Sequence, residues 1–301
     1  MIGTRGECPA DYCTLQKCIA ASWQLAKVPL CLLIGCTAAF GAALVPHVSA
    51  GSILIVFAGV LFLAMGGATI NSLQETAVDK ALPRTSGRPL VRNRVSSGYA
   101  VFQAGLFLTA AVIVLMPLHT SLLPLSLGGL AILIYNGVYT RLKQYTILAI
   151  IPGALAGALP PVIGWVGGGG HPFSYTAMLL FTLLVLWQVP HYCLILLRYR
   201  DEYLQVRQPS FLKALSEKGV RRLSAVWICG LALVMMLFSI LPVSVWQWQK
   251  IILIVNGLSF AAFALYSLLL RETTAYRMLF LYLNIVLCIH MAVLVLGIFR
   301  S

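Results

Sequence analysis

Hydrophobic positions along this chain do not alternate with polar ones at the period of a strand, nor do they form the one-sided stripe of a surface helix. They come in runs of about 20 residues separated by short polar links. Lipid offers no water to an unpaired backbone group, so such runs cross a bilayer as helices whose hydrogen bonds close internally. Nine spans are predicted, over residues 24–44, 51–73, 97–116, 121–139, 147–166, 174–197, 224–243, 249–270 and 276–299, with the second continuing as helix to 81. The fold class is an all-α polytopic membrane protein with nine transmembrane helices.

The links between the runs carry the orientation. With an inward N-terminus, the links after spans 2, 4, 6 and 8 hold 16 of the 21 lysines and arginines, against Lys250 and Arg300 on the other side. Positive charge stays on the cytoplasmic face, which predicts a cytoplasmic N-terminus and an integral protein of an inner (plasma) membrane. The outward links near His47, His119 and His171 are short, and "GGGGHP" at 167–172 reads as a flexible turn.

Composition agrees. The chain has 301 residues, 60% of them hydrophobic and 10% charged, and a mean hydropathy of +0.92, more apolar surface than a soluble domain can hide. The formal charge of +13 would suggest nucleic acid in a soluble protein, but here orientation accounts for it and no nucleic-acid partner is expected. No linker interrupts the runs, so residues 24–301 read as one membrane domain behind a cytoplasmic tail, 1–23. Charged residues in that tail argue against a signal peptide, and Cys8, Cys13 and Cys18 read as free thiols.

Orientation gives no reason for carboxylates. Only eight are present, and four form two pairs at predicted cytoplasmic helix ends: Glu75 with Asp79, and Asp201 with Glu202. Asn71, Glu75 and Asp79 are spaced by four, a drift of about 40° and a rise of about 6 Å per step on a helix, so all three share a face. One amide oxygen and two carboxylates make the oxygen set that Mg²⁺ takes alongside waters and substrate phosphates. Five cations follow, Lys80, Arg84, Arg88, Arg92 and Arg94, of which the arginines can contact the remaining phosphate oxygens. An isolated E-x-x-x-D is more often a solvated, ion-paired helix end. The second pair, in "RYRDEYLQVRQP" and again among cations, instead suits one diphosphate held between two metal-bridged sites.

These residues resemble the UbiA-type intramembrane prenyltransferases, and within them the haem O synthase branch that farnesylates protohaem IX. The resemblance runs from about residue 65 to 211. The first motif of that family, an Asn with acids at +4 and +8 and then R-T-x-x-R-P-L, stands here as Asn71, Glu75, Asp79, Arg84, Thr85, Arg88, Pro89 and Leu90. "YTRLKQYT" at 139–146, "GALAGALPPVIGW" at 153–165 and "WQVPHY" at 187–192 are similar to segments of the haem branch. Members usually carry Asp where this chain has Glu202, and Met or Val where it has Ser210.

The resemblance implies that Mg²⁺ at Asn71, Glu75 and Asp79, with a second ion near Asp201 and Glu202, neutralises the diphosphate of farnesyl diphosphate as it leaves. A vinyl group of protohaem IX then captures the allylic cation, and water completes a hydroxyethylfarnesyl side chain. Arg84, Arg88 and Lys143 are the expected diphosphate contacts, and His191, Tyr139 and Trp187 the expected acceptor contacts. Two other functions share parts of this pattern. A UbiA-type transferase for an aromatic acid or quinone precursor has the same diphosphate site, whereas a transporter or haem-handling protein would place ionisable groups near the bilayer midplane.

Overall fold

The computed structural model describes residues 19–81, 85–118, 122–205, 209–241, 246–270 and 276–298. Arg84, expected at the diphosphate, and Cys8, Cys13 and Cys18 lie outside the described residues. Within them every regular element is helical: α1 (Ile19–Leu25), α2 (Val28–Ala43), α3 (Ala50–Gln74), α4 (Thr76–Ala81), α5 (Ser97–Leu115), α6 (Leu123–Leu142), α7 (Ile147–Gly167), α8 (Tyr175–Arg198), α9 (Arg200–Gln205), α10 (Phe211–Ala214), α11 (Glu217–Ile240), α12 (Gln247–Leu270) and α13 (Tyr276–Ile298). Eight of these are long and apolar enough to cross a membrane, and α1 with α2 makes a ninth span bent by 54°.

The bend corrects the unbroken first span expected over 24–44. Pro29 sits in the first turn of α2, where its missing N–H costs nothing, and Lys27 caps that helix in a left-handed conformation, φ 51°. Two further features differ, one a boundary and one internal to a span. The seventh span begins at Glu217, not 224, because Ser216 caps it through the amide of Gly219, so Lys218, Arg221 and Arg222 belong to helix rather than loop. The fourth span contains a π-helical stretch, Leu133–Tyr139, which no hydrophobic period announces.

Neighbours pack in the order α5, α3, α2, α7, α8, α11, α12, with α6 against α7 and α13 between α8 and α12. The α2–α7 contact is the tightest. A Cβ on Gly41 would lie 1.9 Å from the carbonyl oxygen of Pro161, and one on Gly164 would lie 1.8 Å from that of Ala38. Small residues let the backbones touch, the usual means by which helices associate where lipid removes the hydrophobic drive. Phe40, Trp165, Leu180, Ile228, Phe260 and Leu283 belong to the main core, while Leu54, Phe102, Ile113, Ile251 and Val255 face outward, as lipid-exposed positions should. The 167–172 turn is anchored: Gly169 takes φ 101°, and the Trp165 indole donates to the carbonyl of His171 at 3.0 Å.

Candidate active site

Helix α3 ends at Glu75, whose backbone leaves helical geometry at φ −98°, ψ 1°. The ladder nevertheless runs on, from the Glu75 amide to the Asn71 carbonyl at 3.0 Å and from the Asp79 amide to the Glu75 carbonyl at 2.8 Å. The spacing by four therefore keeps all three side chains on one face across the break. All three are buried, at 1% exposure for Asn71, 7% for Glu75 and 4% for Asp79.

The basic segment folds back onto them. The Thr85 hydroxyl donates to the Asp79 carbonyl at 3.0 Å, and Leu90 is buried with Leu25 and Ala100. Arg88 is thereby carried onto both carboxylates, its Nη1 lying 2.5 Å from Asp79 Oδ2 and 4.0 Å from Glu75 Oε2. Lys143, at the end of α6, pairs with Glu75 Oε1 and lies over the ring of Tyr139 at 4.9 Å. Tyr139 in turn stacks on Tyr135 at 5.6 Å. Of the residues expected at the diphosphate, Glu75, Asp79, Arg88 and Lys143 thus come together.

Lys27 completes the cluster. Its Nζ donates to Asn71 Oδ1 at 2.6 Å, and the Asn71 amide nitrogen donates to Thr140 Oγ1 at 3.1 Å. Ser72 fixes the end of α1 by donating to the Leu25 carbonyl at 3.2 Å. The π-helical stretch is pinned from the same side, since Asn136 donates to the Gly67 carbonyl and Gln74 to the Asn136 carbonyl, each at 3.0 Å. Lys27 is not among the site residues expected from the sequence, although a lysine within an apolar run is itself a signal of function. Thr140 and Asn136 had no such mark.

The second acidic pair stands apart. Asp201 and Glu202 are exposed on α9, beside an open cleft of about 290 Å³ lined by residues 197–202. Among the described residues no three His, Cys, Asp or Glu side chains converge to hold a metal ion. The structure therefore does not bring the two pairs into one ligand set.

The first pair alone fits a divalent cation in part. Its facing oxygens both border one Arg88 nitrogen, so they are no further apart than the sum of 2.5 and 4.0 Å, and both are hard donors of the kind Mg²⁺ takes. The third expected donor, Asn71 Oδ1, is engaged by Lys27.

A separate cluster lies on α8 and α13. The rings of Trp187 and His191, one turn apart, are 4.3 Å from centroid to centroid, and Phe280 closes on His191 at 4.8 Å. Trp187 Nε1 and His191 Nδ1 are buried without a hydrogen-bond partner. Such groups cost stability unless a ligand uses them.

Comparison with known proteins gives the family and the fold. Residues 32–292 match the UbiA prenyltransferase family. The chain is 35% identical to a protoheme IX farnesyltransferase of Nitratidesulfovibrio vulgaris, over 80% of this chain and 84% of that one. In fold it is similar to a digeranylgeranylglyceryl phosphate synthase, with a TM-score of 0.76 at 16% identity over 95% of this chain and 100% of the other. It is also similar to a UbiA homologue of Archaeoglobus fulgidus bound to GPP and Mg²⁺, with a TM-score of 0.67 at 17% identity over 92% and 99%. Matched along most of its length in sequence and in helix arrangement, the chain belongs to the UbiA prenyltransferase family.

Proposed function

We infer that this prenyltransferase moves the farnesyl group of farnesyl diphosphate onto a vinyl group of protohaem IX, giving haem O. The observation that carries the reading is the buried carboxylate pair, Glu75 and Asp79, held among Lys27, Arg88 and Lys143 at one end of an apolar bundle. Three cations against two carboxylates leave an excess of positive charge, which a diphosphate can take up.

Glu75 and Asp79, joined by Asn71 once Lys27 turns away, are the residues that would hold Mg²⁺, with Asp201 and Glu202 serving a second ion. Bound there, Mg²⁺ supplies the charge neutralisation that a departing diphosphate needs. Arg88 and Lys143 exchange their carboxylate partners for phosphate oxygens and so stabilise the leaving group as the C–O bond breaks. The apolar helices around the isoprenoid keep water from the allylic cation until the vinyl carbon attacks. Water then adds to the cation beside the porphyrin and loses a proton.

Trp187, His191 and Phe280 supply a cluster of tilted aromatic rings with two unpaired nitrogens, which suits a large conjugated macrocycle bearing polar substituents. Tyr139 serves the reaction through Lys143, on which its ring bears. One membrane domain does this work, with the site on the cytoplasmic side, where the positive-inside rule puts the cation-rich links.

The test is to reconstitute the purified protein with haem, farnesyl diphosphate and Mg²⁺ and extract the porphyrins for mass spectrometry. A haem enlarged by one farnesyl and one hydroxyl group is expected. Unmodified haem alongside a prenylated hydroxybenzoate would overturn the acceptor assignment.

A further inference from the structure

Asp201 and Glu202 follow two arginines, Arg198 and Arg200, yet neither carboxylate makes an ion pair among the described residues. Both guanidinium groups are engaged elsewhere. Arg198 lies over the ring of Tyr199, 4.9 Å from its centroid, and Arg200 Nε reaches Glu217 Oε2 at 3.7 Å. Glu217 does not hold its position alone, since the Tyr276 hydroxyl donates to its Oε1 at 2.7 Å. One carboxylate at the start of α11 thus ties the first residue of α9 to the first residue of α13.

We propose that Glu217 is a positioning residue that diverts Arg200 from the neighbouring acids, so that Asp201 and Glu202 stay open to a divalent cation. The inference rests on the reading of Asp201 and Glu202 as metal ligands. The reason is local electrostatics. An arginine one residue from a carboxylate has it within reach of its long side chain, and a guanidinium settled there would oppose an incoming cation. Arg200 and Glu217 are both partly solvated, with side chains 52% and 38% exposed. The pair is therefore weak by itself. What steadies it is the second bond, from Tyr276, which holds the other oxygen of the same carboxylate.

Mn²⁺ alone serves as the probe, because Glu75 and Asp79 already carry chain cations while Asp201 and Glu202 do not. Free Mn²⁺ is counted by its EPR signal as the ion is titrated into the purified protein. Glu217→Gln keeps an oxygen for Tyr276 and removes the charge that holds Arg200; it should weaken Mn²⁺ binding about three- to tenfold, the scale of a competing exposed cation. Glu217→Gln combined with Arg200→Gln should return the affinity to the wild-type value, a recovery that a purely structural role would not give. Asp201→Asn in the same titration separates the two claims. If Asp201→Asn weakens binding and Glu217→Gln does not, or if the double substitution fails to recover it, the diversion of Arg200 is wrong. If Asp201→Asn leaves binding unchanged, the ligand assignment beneath it fails.

Discussion

The two acidic pairs have the same composition and the same basic company in the sequence, and the fold treats them in opposite ways. Glu75 and Asp79 are sunk at a helix break and neutralised by Lys143 and Arg88. Asp201 and Glu202 stand exposed with their neighbouring arginines drawn off to Tyr199 and Glu217. Burying two carboxylates without partners would cost several kcal/mol each, so the deep pair has to carry its own counter-ions. The shallow pair is bathed by solvent and has no such need. In the proposed reaction, loading the deep pair with metal and diphosphate would be a partner exchange, and loading the shallow pair an addition.

The largest expected effect falls on the deep pair. Glu75→Gln removes a ligand charge at constant size, and turnover should drop by about 10²- to 10³-fold, measured as haem product per unit time in proteoliposomes, with helicity unchanged by circular dichroism. Next comes Arg88→Gln, which should split the two ligands. Affinity for farnesyl diphosphate should fall by about 10- to 100-fold, the cost of losing a charged phosphate contact. Mn²⁺ binding without diphosphate should strengthen, because one built-in competitor has gone. Equal weakening of both would mean that Arg88 merely props up the fold.

His191→Ala acts outside both pairs. Haem binding, followed by its absorption spectrum, should weaken by about tenfold, the scale of one lost buried polar or ring contact, while farnesyl diphosphate affinity stays within about twofold. The smallest effect is that of salt. Raising ionic strength from about 0.05 to 0.5 M shortens the screening length to a few ångströms, so Mn²⁺ binding at the exposed pair should weaken by a few-fold. The Arg88–Asp79 contact, buried on the Asp79 side, should respond much less.

Much of this site is legible in the amino-acid sequence because helical spacing is a local property. Asn71, Glu75 and Asp79 can be placed on one face by counting in fours, and the break at Glu75 leaves that intact because the backbone bonds continue through it. Lysine and arginine asymmetry likewise marks which links lie on one side. What the spacing does not reveal depends on contacts between distant segments. Lys27 reaches Asn71 across 44 positions, and the left-handed backbone that allows it follows from a bend with no periodic signature. Glu217 looks like an ordinary first-turn acid until Arg200 and Tyr276 are brought to it from separate helices. The expectation that both acidic pairs flank one diphosphate comes from matching charges along the chain, which carry no information about distance across the bundle.

In the proposed function, metal and diphosphate meet at the deep pair. It is tested most directly by the affinity of a farnesyl diphosphate analogue with a sulfur in the scissile position, which binds without ionising, measured with and without Mg²⁺ in wild type and Asp79→Asn. Mg²⁺ should tighten binding at least tenfold in the wild type, because a divalent cation can bridge carboxylate and phosphate, and this gain should disappear in Asp79→Asn. An equal gain in both proteins would contradict it.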